Sequence, residues 1–371
     1  MNTLPARILQ VIPSTGYGGI SSMLMNLYRA LPTEQVQFDF AAFNRGPLHN
    51  EIEARGGRVF YFEYMKKQGL LRYMKALKRL IHDHGPYQAI HVHNGYKGGF
   101  ALLAARMAGI PTRVCHIHTS NVEEKWQRSI MPLLRAVSVA NATKRLACGE
   151  EAGRFMYGQR DFEVLTNAIQ TSAYQAGTLQ DRYRIRKEWG IPKDCFVIGH
   201  IGRLSAVKNH AFMLDIAEEL RRRIDGAAYR MVCIGEGPLR EELEREIRER
   251  KLQSHILLVG TRADIPSCLN AVDMYLFPSL FEGLPVSLLE AQAAALPCLV
   301  SSGVPRESDI EAGLVRFMDL KEGPAAWSEA IVERSRMGLG DTLLAGKKLE
   351  ERGYDVAQNV KRLTHIYNLG T

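Results

Sequence analysis

Short apolar runs alternate along the chain with longer stretches in which apolar residues recur every three or four positions. In the first half, residues 7–12, 36–43, 58–62, 89–92, 112–117 and 145–148 read as strands. Helical spacing falls between most of them, as at 20–31 and 97–108. The second half repeats the pattern, with strands at 196–201, 230–234, 255–259, 274–277 and 298–301. Helical patterns follow the first, second and fourth of these. Strands alternating with helices make parallel βαβ units. Two such series predict an α/β chain of two doubly wound, Rossmann-like parallel-sheet domains. The least patterned stretch, 166–174, is the expected linker, and 355–367 reads as one more helix.

Size agrees with two domains: 371 residues exceed one typical domain. A hydrophobic content of 46% with 24% charged residues is that of an ordinary globular protein. No uncharged apolar stretch reaches the length of a membrane span. The start, MNTLPARILQVIPSTGYGG, lacks the parts of a secretion signal and reads as a strand running into a glycine loop. Cys115, Cys148, Cys195, Cys233, Cys268 and Cys298 form no CxxC, and most lie in apolar runs. They are expected to be buried free thiols, which suits the cytoplasm.

Charge divides unevenly. Residues 1–180 hold 21 Lys+Arg against 12 Asp+Glu, and residues 181–371 hold 27 against 28. The basic character therefore belongs to the first half. Six of its cations lie in 66–81, where Leu70, Tyr73, Met74, Leu77, Leu80 and Ile81 recur at helical spacing. Such a helix either packs its apolar face into a core or lies on an anionic membrane surface. No nucleic-acid-binding module is recognisable, so nucleic acid is not an expected partner.

Candidate chemistry gathers where strands end, the place where open α/β sheets bind ligands. The segment Phe281-Glu282-Gly283-Leu284-Pro285-Val286-Ser287-Leu288-Leu289-Glu290 follows a strand and enters an apolar helix. Two acceptor-only carboxylates there suit a ligand rich in hydroxyls, such as a sugar and a ribose; an amphipathic helix with a capping glutamate is the plainer alternative. In Gly199-His200-Ile201-Gly202-Arg203-Leu204-Ser205-Ala206-Val207-Lys208-Asn209, Arg203 falls in the loop and Lys208 is expected to open the next helix. Both cations beside a helix N-terminus suit a diphosphate, with two solvated loop cations the plainer alternative. The turns holding Gly235 and Gly260 end neighbouring strands. The first permits close backbone approach or is a purely structural turn; the backbone of the second, a loop that also holds Arg262, is able to read a nucleobase edge, with the base left open. Gly18 and Gly19 close the loop after the first strand, which is not a dinucleotide GxGxxG. His91 with His93, and His116 with His118, end two strands with each pair on one face. With no adjacent carboxylate, cleft or core histidines are preferred to a metal site.

Together these segments resemble family four of the retaining glycosyltransferases, which have the GT-B architecture: two Rossmann-like domains facing across a cleft. FEGLPVSLLE with its E-x7-E spacing, IGRLSAVKNH, IGEGPL, VGTRADI and GYGG appear in that family's order. HVHNGYKGGFALLAARMAGI, HIHTSN and GVPRES are most similar to bacterial exopolysaccharide and capsule enzymes. The resemblance implies an acceptor domain of residues 1–170 plus 355–371, with the last helix crossing back, and a donor domain of 171–354. It implies that Arg203 and Lys208 hold the donor diphosphate. Glu282 would meet the donor sugar with the backbone N–H groups of Gly283 and Leu284, and Glu290 the ribose. Gly18 and Gly19 would near the diphosphate when the domains close. His118 would lie near the sugar's C6 hydroxyl, with His116 its competitor, and His116, Tyr17 and Asn121 would face the acceptor.

The family's usual Asn-Gly-Ile-Asp hinge is replaced here by Asn167-Ala168-Ile169-Gln170. That puts hinge or acceptor contacts in doubt and leaves the donor segments untouched. The implied reaction is metal-independent transfer of a sugar, with retention, from a nucleotide-diphosphate donor. The donor is expected to be a UDP-sugar and the acceptor a saccharide or lipid-linked saccharide at the inner membrane face. No resident cofactor is implied. An epimerase of the same fold, a non-catalytic nucleotide-sugar sensor or scaffold, and a dinucleotide oxidoreductase are the alternatives.

Overall fold

The computed structural model describes residues 4–119, 127–223, 229–336 and 338–369. Contacts divide the chain into two units. One comprises Met1–Ala168 with Val356–Thr371, and the other Ile169–Asp355. The chain thus passes between units at Ala168/Ile169 and Asp355/Val356, beside the 170 and 355 limits set from sequence.

The N-terminal unit is built on β1 (Ala6–Ser14), β2 (Val36–Asn44), β3 (Val59–Tyr61), β4 (Ala89–Val92), β5 (Thr112–Ile117), β6 (Lys144–Ala147) and β7 (Glu163–Val164). They pair in the order β3-β2-β1-β4-β5-β6-β7, and every pairing is parallel. β1, β2 and β4 are buried over most of their length, as expected of strands covered on both faces. One face packs Ile8, Ile12, Phe38 and Phe40 against Leu24 and Leu27 of the helix Gly19–Ala30 and Leu363 and Ile366 of the final helix Val356–Ile366. The opposite face packs Leu9, Val11 and Ile90 against Tyr73, Leu77, Leu102 and Ala105.

The second unit repeats the scheme. Its strands are β8 (Phe196–Ile201), β9 (Tyr229–Ile234), β10 (Ile256–Gly260), β11 (Met274–Phe277), β12 (Cys298–Ser301) and β13 (Val315–Met318). Their order is β10-β9-β8-β11-β12-β13, again parallel throughout. In each unit the first strand lies between the second and the fourth. The crossovers therefore change direction beside β1 and β8, and ligand crevices open at such switch points.

Three sequence expectations need correction. Edge strands β7 and β13 were not foreseen: β7 has two residues, and β13 carries the exposed Arg316 amid its apolar residues. The expected linker includes a short helix, Thr171–Gln175. The basic segment 66–81 is two helices, Met65–Gln68 and Leu70–His84, divided by Gly69 at φ 81°. Tyr73, Leu77, Leu80 and Ile81 enter the core, which settles where the longer helix's apolar face lies. Lys66, Lys67, Arg72, Lys75 and Arg79 remain exposed, and Leu71 among them is 82% exposed. Among the described residues no helix is long and apolar enough to cross a membrane. The six cysteines are buried and free.

Candidate active site

Lys208 and Glu282 meet across the switch point of the second unit. β8 delivers the loop holding Arg203 and Lys208, and its neighbour β11 delivers the loop holding Glu282. Lys208 does not open a helix as expected. It ends a one-turn 3₁₀ segment, Ala206–Lys208, and the α-helix begins only at His210. Asn209 separates them in the left-handed conformation, φ 57°, a placement that its short polar side chain tolerates. The Asn209 Nδ2 then donates to the Pro278 carbonyl at 3.2 Å, and the Leu280 N–H donates to the Val207 carbonyl at 2.8 Å. These two bonds tie the loops edge to edge. Lys208 Nζ reaches Glu282 Oε1 at 2.7 Å and stands 4.6 Å from the centre of the Phe277 ring. Both charged side chains are only 14% exposed, so each loses part of its hydration and relies on the other. Arg203 is exposed and forms no ion pair among the described residues. Gly283 is exposed and Leu284 half-buried beside Glu282.

Glu290 is the fifth residue of the helix Val286–Ala293, which follows directly from the Glu282 loop. It keeps some solvent-accessible surface but is densely surrounded. Desolvation pushes its carboxyl up to about 7, against the hydrogen bond donated by the Tyr174 hydroxyl at 2.9 Å. Tyr174 lies in the stretch read from sequence as linker, where nothing marked it as a partner of Glu290.

The turns after β9 and β10 brace this site. Gly235 lies at φ +146°, and any side chain there would strike the Gly202 carbonyl. Its close approach is therefore to the Arg203 loop. Gly260 lies at φ +75°, and its carbonyl accepts from the Gly235 N–H at 2.8 Å. Arg262 is committed to Asp264 at 2.8 Å and to Glu188, which together push its guanidinium pKa upward. As arranged, its fork is occupied by carboxylates of this unit. Beneath the Lys208 loop, His200 and His210 are buried and held neutral, with desolvation the largest cause.

In the N-terminal unit, the loop after β1 carries Tyr17, Gly18 and Gly19. Tyr17 is 43% exposed, and the space a side chain would take at Gly18 or Gly19 is open. Buried Thr15 shapes the loop: its Oγ1 accepts from the Gly46 N–H at 2.8 Å. A side chain at Gly46 would collide with Gly16, so this glycine after β2 belongs to the same structure. All four strand-end histidines gather against one another at the neighbouring strands β4 and β5. His91 lies 3.2 Å from His116 and His93 3.0 Å from His118, nitrogen to nitrogen. Nitrogens of His91, His93 and His116 fall within 4.8 Å of one another, a spacing that could hold a metal ion. His116 is fully buried and His118 half-buried, so His118 is the more accessible of the two competitors. Burial holds all four neutral, His118 down to about 3. Asn121 lies outside the described residues. Gln10 and Tyr367, which complete the cluster, were not anticipated; a glutamine inside the otherwise apolar β1 was the visible sign.

Two doubly wound units with phosphate-suited loops at a switch point define the class of GT-B glycosyltransferases. Solved structures agree in fold. Anabaena HepE, determined in complex with UDP-glucose, superposes with a TM-score of 0.77 at 18% identity, covering 98% of this chain and 99% of that one. The lipopolysaccharide glycosyltransferase WaaG gives 0.70 at 12% identity, over 98% and 100%.

Residues 17–172 match Glycosyltransferase Family 4, and residues 195–335 match Glycosyl transferases group 1. EpsF of Bacillus subtilis, named as a glycosyltransferase, is 37% identical over 100% of this chain and 98% of its own. The Escherichia coli UDP-Gal:α-D-GlcNAc-diphosphoundecaprenol α-1,3-galactosyltransferase is 27% identical over 76% of each chain. CapH of Staphylococcus aureus, a capsular polysaccharide glycosyltransferase, is 23% identical over 97% and 98%. The chain belongs to glycosyltransferase family 4 and is a glycosyltransferase. The isomerase, sensor and oxidoreductase alternatives draw no support from these relatives.

Proposed function

We propose that this glycosyltransferase moves a sugar from a UDP-sugar to a saccharide or lipid-linked saccharide in cell-surface polysaccharide assembly, with retention at the anomeric carbon. The observation that carries the reading is the Lys208–Glu282 pair at the β8/β11 switch point. Its cation suits a diphosphate and its carboxylate suits sugar hydroxyls. The UDP-glucose complex of the similar HepE and the lipid-linked acceptor named for the E. coli relative support the choice of donor and acceptor.

In this reading Lys208 and Arg203 stabilise the departing diphosphate as its charge develops. Glu282 passes from Lys208 to the donor sugar, helped by the N–H groups of Gly283 and Leu284, and Glu290 accepts from the ribose hydroxyls. Neither glutamate is a nucleophile. The acceptor hydroxyl attacks the oxocarbenium-like carbon on the leaving-group face and gives its proton to a donor phosphate oxygen. The two cations supply the positive charge toward the diphosphate, so the reaction is proposed to need no metal and no cofactor. The exposed basic face of 66–81 is proposed to hold the protein on anionic lipid at the cytoplasmic membrane face, where a lipid-linked acceptor resides.

A thermal-shift screen against UDP-, GDP-, ADP- and dTDP-sugars, with and without EDTA, tests this. A selective rise with UDP-sugars that survives EDTA is expected. A rise with another nucleotide, or one abolished by EDTA, would overturn the corresponding part.

A further inference from the structure

Glu290 depends on one neighbour in the second unit. Tyr174, on the short helix Thr171–Gln175, packs against the apolar cluster that holds Val286, Leu289 and Ala293 of the Glu290 helix. Two contacts hold that short helix in place. Thr171 Oγ1 donates to Asp355 Oδ2. Gly346 lets the helix Thr342–Glu351 lie close against it, because a side chain there would strike Gln175.

From this seat the Tyr174 hydroxyl donates to Glu290 Oε1 at 2.9 Å. An ionised carboxylate only accepts, so chemistry alone fixes the direction of the bond. Among the described residues this is the one hydrogen bond to the Glu290 side chain. Oε2 is neither bonded nor enclosed among them, and the residue keeps part of its surface open to solvent. A ligand can therefore reach Oε2 while Oε1 stays anchored.

Burial works against the charge that this task needs. Desolvation pushes the Glu290 carboxyl up to about 7, and the Tyr174 bond is the influence that opposes it; no cation contributes. Tyr275 of β11 also faces Glu290, but burial keeps its hydroxyl protonated, so it adds no charge. Without the Tyr174 hydroxyl, desolvation would act unopposed and the carboxyl would rise further.

We propose that Tyr174 is a positioning residue for the donor: its hydroxyl anchors Oε1 and holds Glu290 as a carboxylate, so that Oε2 meets the vicinal hydroxyls of the ribose as a charged acceptor. This rests on the reading above that Glu290 accepts from the ribose.

Calorimetric titration of UDP into the full chain from pH 6 to pH 9 tests it, with Tyr174→Phe and Glu290→Gln read as ratios to wild type at each pH. A ligand that prefers the carboxylate gains affinity as pH rises through its ionisation. Tyr174→Phe should bind about three- to twentyfold more weakly at pH 7.5 and within about twofold of wild type at pH 9, as expected for losing one hydrogen bond to a charged group. Glu290→Gln should stay weaker than wild type at pH 9. A Tyr174→Phe ratio that is flat across the range, whether near one or uniformly weak, would overturn the proposal and leave the ribose reading standing. Glu290→Gln equal to wild type throughout, or no binding of UDP by wild type, would overturn that reading and this proposal with it.

Discussion

Lys208 shows how a single residue's surroundings set its use. Its ammonium is mostly desolvated, lies over the Phe277 ring and is balanced by Glu282. A diphosphate entering this loop would replace one anionic partner with another at little further cost in desolvation. Lys208→Ala should lower turnover by about a hundredfold or more, the loss seen when a stabiliser of developing charge is removed. Steady-state assay with saturating donor checks it, and unchanged turnover would remove Lys208 from the mechanism. The residue types at this site were readable in sequence because cations and glutamates stand out among apolar neighbours. The 3₁₀ turn before Asn209 was not, since three residues carry too little periodicity to separate it from the helix that follows. Tyr174 was also hidden, because its partner Glu290 is 116 positions away.

At the scale of elements, apolar strands announced themselves and their anchors did not. Asp39 interrupts the apolar β2 and is fully buried. It accepts from Arg7 at 2.7 Å, from Arg58 Nε at 2.9 Å and from the Tyr87 hydroxyl at 2.8 Å, which fastens β2 to β1, to β3's leading residue and to the residues before β4. Those partners are far apart in the chain, so spacing could not reveal them. Asp273 does the same work in the second unit, accepting from Arg186 at 2.6 Å and the Val197 N–H at 2.7 Å. Asp39→Ala should cost about 2–3 kcal/mol in urea unfolding, less than for a wholly buried pair because both arginines keep some contact with water. A loss under about 0.5 kcal/mol, the range of ordinary surface changes, would contradict the anchoring role. The basic helix makes a second prediction. Its apolar face is in the core, so any attachment to lipid is through cations and Leu71. Neutralising Lys75, Lys78 and Arg79 should weaken binding to anionic vesicles, by about 1 kcal/mol for each charge near the surface. Undiminished sedimentation with vesicles would end the membrane proposal.

Across the whole molecule, the same strand order recurs in two units. That repetition was legible because central strands such as β4, β11 and β12 are buried throughout and read as short, mostly apolar runs. The two-residue β7 and the interrupted β13 at sheet edges were the strands missed. Both units also bury histidines in neutral form. His118 is held down to about 3 and His210 to about 4, from an ordinary value of 6.5, with desolvation the main cause in each. Below about pH 6.5 the unfolded chain binds protons at these positions while the folded chain does not. Stability is therefore full above that pH and falls as pH drops toward 4. Thermal unfolding followed from pH 7.5 to pH 4.5 should show a falling midpoint, and a flat profile would mean the rings are not buried as described.

The most direct test of the central claim, that the second unit grips a nucleotide-diphosphate sugar through its glutamate-bearing loop and helix, is calorimetric titration of a UDP-sugar at pH 8. At that pH the Glu290 carboxyl, pushed up to about 7, is mostly ionised. Binding to the wild-type chain is expected, weakened about ten- to a hundredfold in Glu290→Gln by the loss of charge-assisted hydrogen bonds to the ribose. Equal affinity in the two proteins would contradict the account.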